Sequence, residues 1–265
     1  MNNNLRFELS FKNISQLENK LNFCKLNNIK NINIPCKGLI KKELFNSTIK
    51  YISKNFSEFN VTYHYSLYHQ YSKNKEESYQ YFLDFVKSYQ TNKNFEILLV
   101  SGSNKKINFD SVHVLAYLKK EKNLKVKLGI AYNPYLKKHY NISSERERLE
   151  RKISTGLINS IWLQYGTDIK VLQHELTYLK KIVKDEKINL FGSLFIPSKQ
   201  FIARFKFRPW KEVYISEKFL YALENFFDFS NDLISFYKKN KITPVIESDF
   251  SSLDKLNSVY SFFRK

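Results

Sequence analysis

The chain reads as a single-domain α/β protein, a (β/α)8 TIM barrel spanning residues 1–265. Three observations predict this. Short apolar strands alternate strictly with amphipathic helices, a pattern that favours a parallel sheet with right-handed crossovers. Eight such units follow one another, mostly 25–36 residues apart, and eight units can close on themselves. No Gly-x-Gly-x-x-Gly loop follows the first strand, as a doubly wound dinucleotide fold would need. Nor is there a Pro/Gly/Ser-rich linker or a repeat of constant period.

Leu5–Ser10 alternates and forms the first strand, followed by a helix over Ile14–Leu26 with Leu17 and Leu21 inward. Asn31–Pro35 is a short strand, and Lys41–Asn55 a helix with Leu44, Ile49 and Ile52 on one face. Phe59–Tyr65 precedes a helix over Lys75–Tyr89, where Tyr79, Phe82, Phe85 and Val86 fall at helical spacing. Phe95–Val100 is the most apolar strand and enters the turn-rich Ser101-Gly-Ser-Asn104. Phe109–Lys120 is helical, and Val126–Ala131 is strand five.

The next unit is the best formed. Ser144 with Glu147 has capping-box spacing, and Leu149, Ile153 and Leu157 recur every four residues. Gly156 stands where a helix takes a left-handed exit residue. Ile158–Leu163 is then a buried strand ending at Gln164. Asp168–Lys184 is a long amphipathic helix and Leu190–Ile196 strand seven, stopped by Pro197. The larger gap before the last strand, Ile242–Ile246, holds an extra helix: helical stretches fall at Lys199–Lys206, Glu217–Phe227 and Leu233–Lys239. A final helix starts near Ser252.

Hydrophobic residues make up 43% and aromatics 16% of the chain. No apolar run approaches the roughly 20 residues that span a bilayer, and the N-terminus lacks a signal peptide's apolar core. Cys24 and Cys36 match no zinc or redox spacing, which points to reduced thiols in a cytoplasmic protein. The net charge of +19 comes from 37 Lys against 7 Arg. It reads as a solvated Lys-rich surface, because no cluster of Arg with exposed aromatics stands out. Such a field still attracts anionic ligands, phosphates and glutamate tails among them.

In a barrel of this kind chemistry sits at the C-terminal ends of the strands. Those positions hold Glu8, Cys36, His64, Ser101 to Ser103, Tyr132 with Asn133, Gln164, and Ser198 with Phe201. Glu8 is flanked by Phe7 and Leu9, so it faces the interior if they face outward. Desolvation there would raise its pKa towards that of a general acid. His64 and His69 lack Cys or carboxylate partners at ligand spacing, so no metal site is expected, and no Gly-x-Ser-x-Gly elbow announces a nucleophile. A mouth with one acid, amides, hydroxyls and rings suits an organic cofactor that brings its own reactivity.

The motif order resembles the methylenetetrahydrofolate reductase family of flavin-dependent barrels, collinearly over nearly the whole chain. Phe7-Glu8-Leu9-Ser10 is similar to the family's first strand, whose Glu protonates folate. Thr62-Tyr-His64-Tyr-Ser66 resembles the strand whose His lies beside the flavin. Leu98-Leu-Val-Ser-Gly102-Ser103 falls where the family has Leu-Arg-Gly-Asp, so Ser101 and Ser103 replace its Arg and Asp. Gly129-Ile-Ala-Tyr132-Asn-Pro134 is similar to the segment ending Ala-Tyr-Pro, with Tyr132 in the flavin-contacting place. Glu145, Arg151, Lys152, Gly156 and Gln164 follow the family's helix–strand motif with one extra residue before Gln164. Glu145 and Lys152, seven residues apart, fall two turns apart on one helix face. Gly192-Ser-Leu-Phe-Ile-Pro197 resembles the family's Gly-Ile-Met-Pro strand, and Phe201 falls near its stacking aromatic. The last strand, Thr243-Pro-Val-Ile-Glu-Ser248, lacks the family's His-Phe-Tyr-Thr-Leu-Asn segment.

The resemblance implies a cytoplasmic flavoprotein oxidoreductase of one-carbon metabolism, feeding methionine biosynthesis. Hydride would pass from NADH or NADPH through FAD, rather than FMN, to 5,10-methylenetetrahydrofolate, giving 5-methyltetrahydrofolate. Glu8 would be the catalytic acid; Gln164, Phe201 and Ser103 would bind substrate. His64, Ser101, Gly102, Tyr132, Glu145, Arg151 and Lys152 would hold the flavin. The partner is a small folate, no membrane is involved, and a homo-oligomer is compatible with the sequence. Within the family, the alternatives are a paralogue oxidising methyltetrahydrofolate and one with altered or lost folate activity. Outside it stand a basic nucleic-acid-binding protein and an unrelated barrel enzyme acting on a phosphorylated metabolite.

Overall fold

Eight parallel strands, each followed by helix, close into a barrel in the order β1 to β8 in the computed structural model. The structure describes residues 5–36, 42–101, 109–136, 142–183, 187–210, 212–222, 224–248 and 252–264. The elements are β1 (Arg6–Glu8), α1 (Ile14–Leu26), β2 (Asn31–Ile34), α2 (Lys42–Asn55), β3 (Asn60–Ser66), α3 (Lys75–Tyr89), β4 (Phe95–Val100) and α4 (Ser111–Leu118). After them come β5 (Lys127–Tyr132), α5 (Ile142–Ile153), β6 (Ile158–Leu163), α6 (Ile169–Ile182) and β7 (Asn189–Ile196). The chain continues through α7 (Lys199–Phe207), α8 (Glu217–Tyr221), α9 (Glu224–Lys239), β8 (Ile242–Ser248) and α10 (Leu253–Arg264). No described helix is long and apolar enough to cross a membrane.

The strand-to-helix turns share one chemical device. A short polar side chain at the helix start accepts the free backbone N–H groups of the first turn. Asn13 accepts from Gln16 N, Asn74 from Glu77 N, and Asp110 from Val112 N and His113 N. Asp168 accepts from Lys170 N and Val171 N, and Ser198 from Phe201 N. The expected cap at Ser144 is corrected: α5 already runs at Ile142, so Ser144 lies inside its first turn. Gly156 does leave α5 with φ +72°, a conformation that side chains resist. Three helices, α7 to α9, separate β7 from β8, and the expected helices at 217–227 and 233–239 regroup as a short α8 and a long α9.

The chain divides into two compact units. One comprises residues 6–130 and 151–159. Its strand-to-helix layer is built from rings: Tyr63 stacks on Phe95 at 4.7 Å and Tyr89 on Phe95 at 4.6 Å. Tyr65 meets Phe82 edge-on at 4.9 Å, and Phe45 stacks on Phe85 at 5.8 Å. Because Tyr63, Tyr65 and Phe95 face helices α2 and α3, the alternate residues Thr62, His64 and Glu96 face the other way.

The second unit comprises residues 1–5, 131–150 and 160–265. Strands β6, β7 and β8 pair in register, from Ser160↔Asn189 through Ile196↔Ser248. Trp162 stacks on Phe191 at 4.1 Å, nearly parallel. The buried Tyr237 of α9 lies over Gly192, and its hydroxyl donates to Ser193 O at 2.8 Å. A Cβ on Gly192 would overlap the Tyr237 ring. Gly192→Ala is therefore expected to destabilise by about 1–3 kcal/mol, the usual cost of overpacking. At about 2–4 °C per kcal/mol for a chain of this size, a thermal melt would show it; an unchanged Tm would mean that the ring gives way freely.

Candidate functional site

The inner face of β1–β4 is polar where a barrel interior is usually aliphatic. Arg6, Glu8, Asn33 and Thr62 are all buried. Register brings the strands together with Arg6 opposite Asn31, Glu8 opposite Asn33, and Asn33 opposite Thr62, and side-chain bonds divide the groups into two layers. In the lower layer Arg6 Nη1 donates to Ile32 O and to Thr62 Oγ1, both at 2.9 Å. Thr62 in turn donates to Glu96 Oε2 at 3.1 Å. Burial lowers the Arg6 pKa to about 10, with Glu96 acting in the opposite direction.

One residue pair further along, Glu8, Asn33 and His64 form the upper layer. His64 Nδ1 lies 3.8 Å from Glu8 Oε2, and Asn33 Nδ2 lies 3.2 Å from His64 Nε2. Asn33 Oδ1 accepts from Arg6 Nη1 at 3.3 Å, which ties the two layers together. Phe7 and Leu9 are wholly buried on the opposite face of β1.

The other expected site residues of this unit do not join that cluster. The Ser101 hydroxyl accepts from Ser111 N at 3.0 Å and lies 3.1 Å from the Ser111 hydroxyl, holding the start of α4. Cys36 is buried, which raises its thiol pKa, and takes a bond from Gln70 Nε2 at 3.4 Å. Lys152 is buried and Arg151 exposed. Gly102 and Ser103 lie outside the described residues.

In the second unit Tyr132 faces helices. Its hydroxyl donates to Glu175 Oε2 at 2.6 Å, and Arg146 grips the same carboxylate through Nη2 at 2.7 Å and Nε at 3.0 Å. Arg146 also lies over the Tyr178 ring at 4.4 Å. Burial, then Glu175, pushes the Tyr132 phenol pKa up. Glu145 accepts a long bond from Asn133 N at 3.5 Å and sits 3.6 Å from Arg148 Nε. Gln164 turns its Oε1 onto the Tyr165 backbone N–H at 3.0 Å, while its own N–H pairs with Tyr132 O. Phe201 packs edge-on against Phe195 at 4.6 Å and Trp210 at 4.9 Å. Ser193 Oγ and Glu247 Oε1 meet at 2.5 Å.

Sequence reasoning missed Arg6, Asn33, Thr62 and Glu96, and it missed Glu247. The signal was present as parity: Arg6-x-Glu8, Asn31-x-Asn33 and Thr62-x-His64 put polar groups on one face of strands too short to afford chance polarity. It also overlooked one cluster of Arg with aromatics. Arg204, Arg208, Phe207 and Trp210 are all exposed in and just after α7, and Lys206 Nζ lies 4.4 Å over the exposed Tyr221 ring.

The sequence matches no protein-family model and no curated protein. Solved structures resemble the fold. A protein of Clostridium thermocellum that binds two copies of 5-methyl-5,6,7,8-tetrahydrofolic acid aligns with TM-score 0.67 at 11% identity, over 97% of this chain and 92% of that one. Active domain 2 of a Pyrococcus furiosus chitinase aligns with TM-score 0.54 at 11% identity, over 92% and 82%. A catalytic domain of chitinase from the same organism gives TM-score 0.52 at 13% identity, over 92% and 83%. At such identities the likeness is one of barrel architecture.

Proposed function

We propose that the chain binds a reduced folate against the inner polar face of β1–β3, and that Glu8 is the acid acting on it. The observation that carries this reading is the buried Glu8 carboxyl next to His64. The ligand of the Clostridium thermocellum barrel supports the choice of folate. The chemistry resembles that of methylenetetrahydrofolate reductase. A proton leaves the Glu8 carboxyl for the nitrogen of the methylene bridge; one C–N bond breaks and its electron pair stays on that nitrogen. An iminium results, ready for a hydride.

In the family a flavin supplies that hydride. Three of the side chains expected to hold it are otherwise engaged here. The Tyr132 hydroxyl is bonded to Glu175, Ser101 to the start of α4, and Glu145 to Asn133 and Arg148. Lys152 is buried as well, which leaves the exposed Arg151 as the one described cation of this set open to a phosphate, and no step is routed through a flavin. The full reductase reading keeps the support of the collinear motifs. A yellow purified protein, or saturable binding of added FAD, would favour it; neither would leave a flavin-free folate barrel.

The folate reading is tested by titrating the protein with 5-methyltetrahydrofolate in a calorimeter. Saturable binding is expected. Absence of heat up to millimolar ligand, with a folded protein, would overturn it.

A further inference from the structure

We propose that Asn33 is a positioning residue that locks the His64 imidazole in its neutral Nδ1–H form and so stops it from taking the proton of Glu8. The argument follows hydrogen directions. An Arg guanidinium has donors and no acceptor. Arg6 Nη1 lies 3.3 Å from the Asn33 side-chain oxygen, so the oxygen end of that amide faces Arg6. The amide NH2 then faces His64, with Nδ2 3.2 Å from Nε2. An NH2 group only donates, so Nε2 must present a lone pair. In a neutral ring the proton then sits on Nδ1, the nitrogen turned towards Glu8 at 3.8 Å.

Turning the amide over would set NH2 against guanidinium, donor against donor, at a position with no solvent exposure. Arg6 cannot withdraw to make room, because Ile32 O and Thr62 Oγ1 hold it at 2.9 Å each. Thr62 spends its own proton on Glu96. The run from Glu96 through Thr62, Arg6 and Asn33 to His64 favours one sense of donation, the Asn33 oxygen sharing the Nη1 hydrogens with Ile32 O and Thr62 Oγ1. Among the charged groups, Glu8 faces the imidazole directly, and Arg6 and Glu96 reach it through this chain. The β4 partner of His64 in register is the uncharged Leu98.

The consequence for Glu8 is specific. Protonating His64 would put an N–H at Nε2 against the Asn33 NH2, so the ring is a poor acceptor for the neighbouring acid. This consequence rests on the folate reading; the tautomer does not.

Asn33→Asp inverts the logic with almost no change of shape. One carboxylate oxygen still accepts from Arg6, and the other accepts an Nε2–H, which lets His64 become a cation paired with Glu8. The test is a long-range proton–nitrogen NMR spectrum of the histidine rings in the full chain. His64→Gln assigns the signal. In the wild type, His64 is expected to show Nδ1 protonated and Nε2 bare at neutral pH. In Asn33→Asp both nitrogens should carry protons at neutral pH, and methylene-bridge opening should fall at least tenfold in kcat with little change in KM. A wild-type Nε2–H would overturn the lock, whether or not the variant folds. A wild type that shows the lock and yet binds no folate would leave the tautomer standing and defeat the folate reading instead.

Discussion

Glu8→Gln is expected to cut opening of the methylene bridge by about 10²- to 10⁴-fold, the usual contribution of a positioned acid. Gln fills the same volume and can still hydrogen-bond a ligand, but it has no proton to release. The assay need not involve flavin. Cyanoborohydride supplies hydride to an iminium, so the wild type should accelerate its conversion of 5,10-methylenetetrahydrofolate to 5-methyltetrahydrofolate above the uncatalysed rate. The variant should lose that acceleration while its affinity for 5-methyltetrahydrofolate stays within about threefold, because the substitution removes a proton transfer and spares the binding contacts. Equal acceleration by both proteins would remove Glu8 from the chemistry.

Glu175→Ala should give the largest loss of stability. The Glu175 carboxylate is buried, takes two bonds from Arg146 and a third from the Tyr132 hydroxyl. Removing it strands a cation and a phenol together. Breaking a buried pair costs about 3–5 kcal/mol. The Arg146 side chain is 27% exposed, so water recovers part of its solvation. That leaves about 2–4 kcal/mol, or roughly 5–15 °C in Tm. Removing both charges, as Arg146→Met with Glu175→Leu, should recover much of the loss, because no charge is then left unpaired. A single variant melting within about 2 °C of the wild type would contradict this account.

The barrel was legible because short apolar strands alternate with amphipathic helices eight times; the caps that start five of those helices were not part of that reading. Asn13, Asn74, Asp110, Asp168 and Ser198 each perform that capping in the structure. The inward direction of Glu8 was legible for a similar reason, since Phe7 and Leu9 could only go to the apolar layer. Tyr132 was not. Strand five was expected to stop at Ala131, whereas β5 runs through Tyr132. In a strand the face is set by parity, so a residue placed just beyond the end has no assigned direction until the end is known. Its partner Glu175 lies 43 residues away in sequence, beyond any local pattern. Asn33 escaped for another reason: an amide on a short strand reads as a turn residue until Arg6 and His64 are seen on either side of it.

The start of α5 shows the limit of local signals from the opposite side. Ser144 and Glu147 have the right spacing for a capping box, but the helix starts earlier, so Ser144 does not begin it. At Gly156 the signal and the structure agree, since a positive φ is a requirement that few residues meet.

The central claim is that a reduced folate sits against Glu8, Asn33 and His64. The most direct measurement is the His64 ring NMR signal during titration with 5-methyltetrahydrofolate. The account predicts that the His64 nitrogens and ring protons shift in proportion to occupancy, while those of the exposed His113 and His174 stay in place. Saturable binding that leaves His64 unmoved would put the folate elsewhere on the protein and contradict the account.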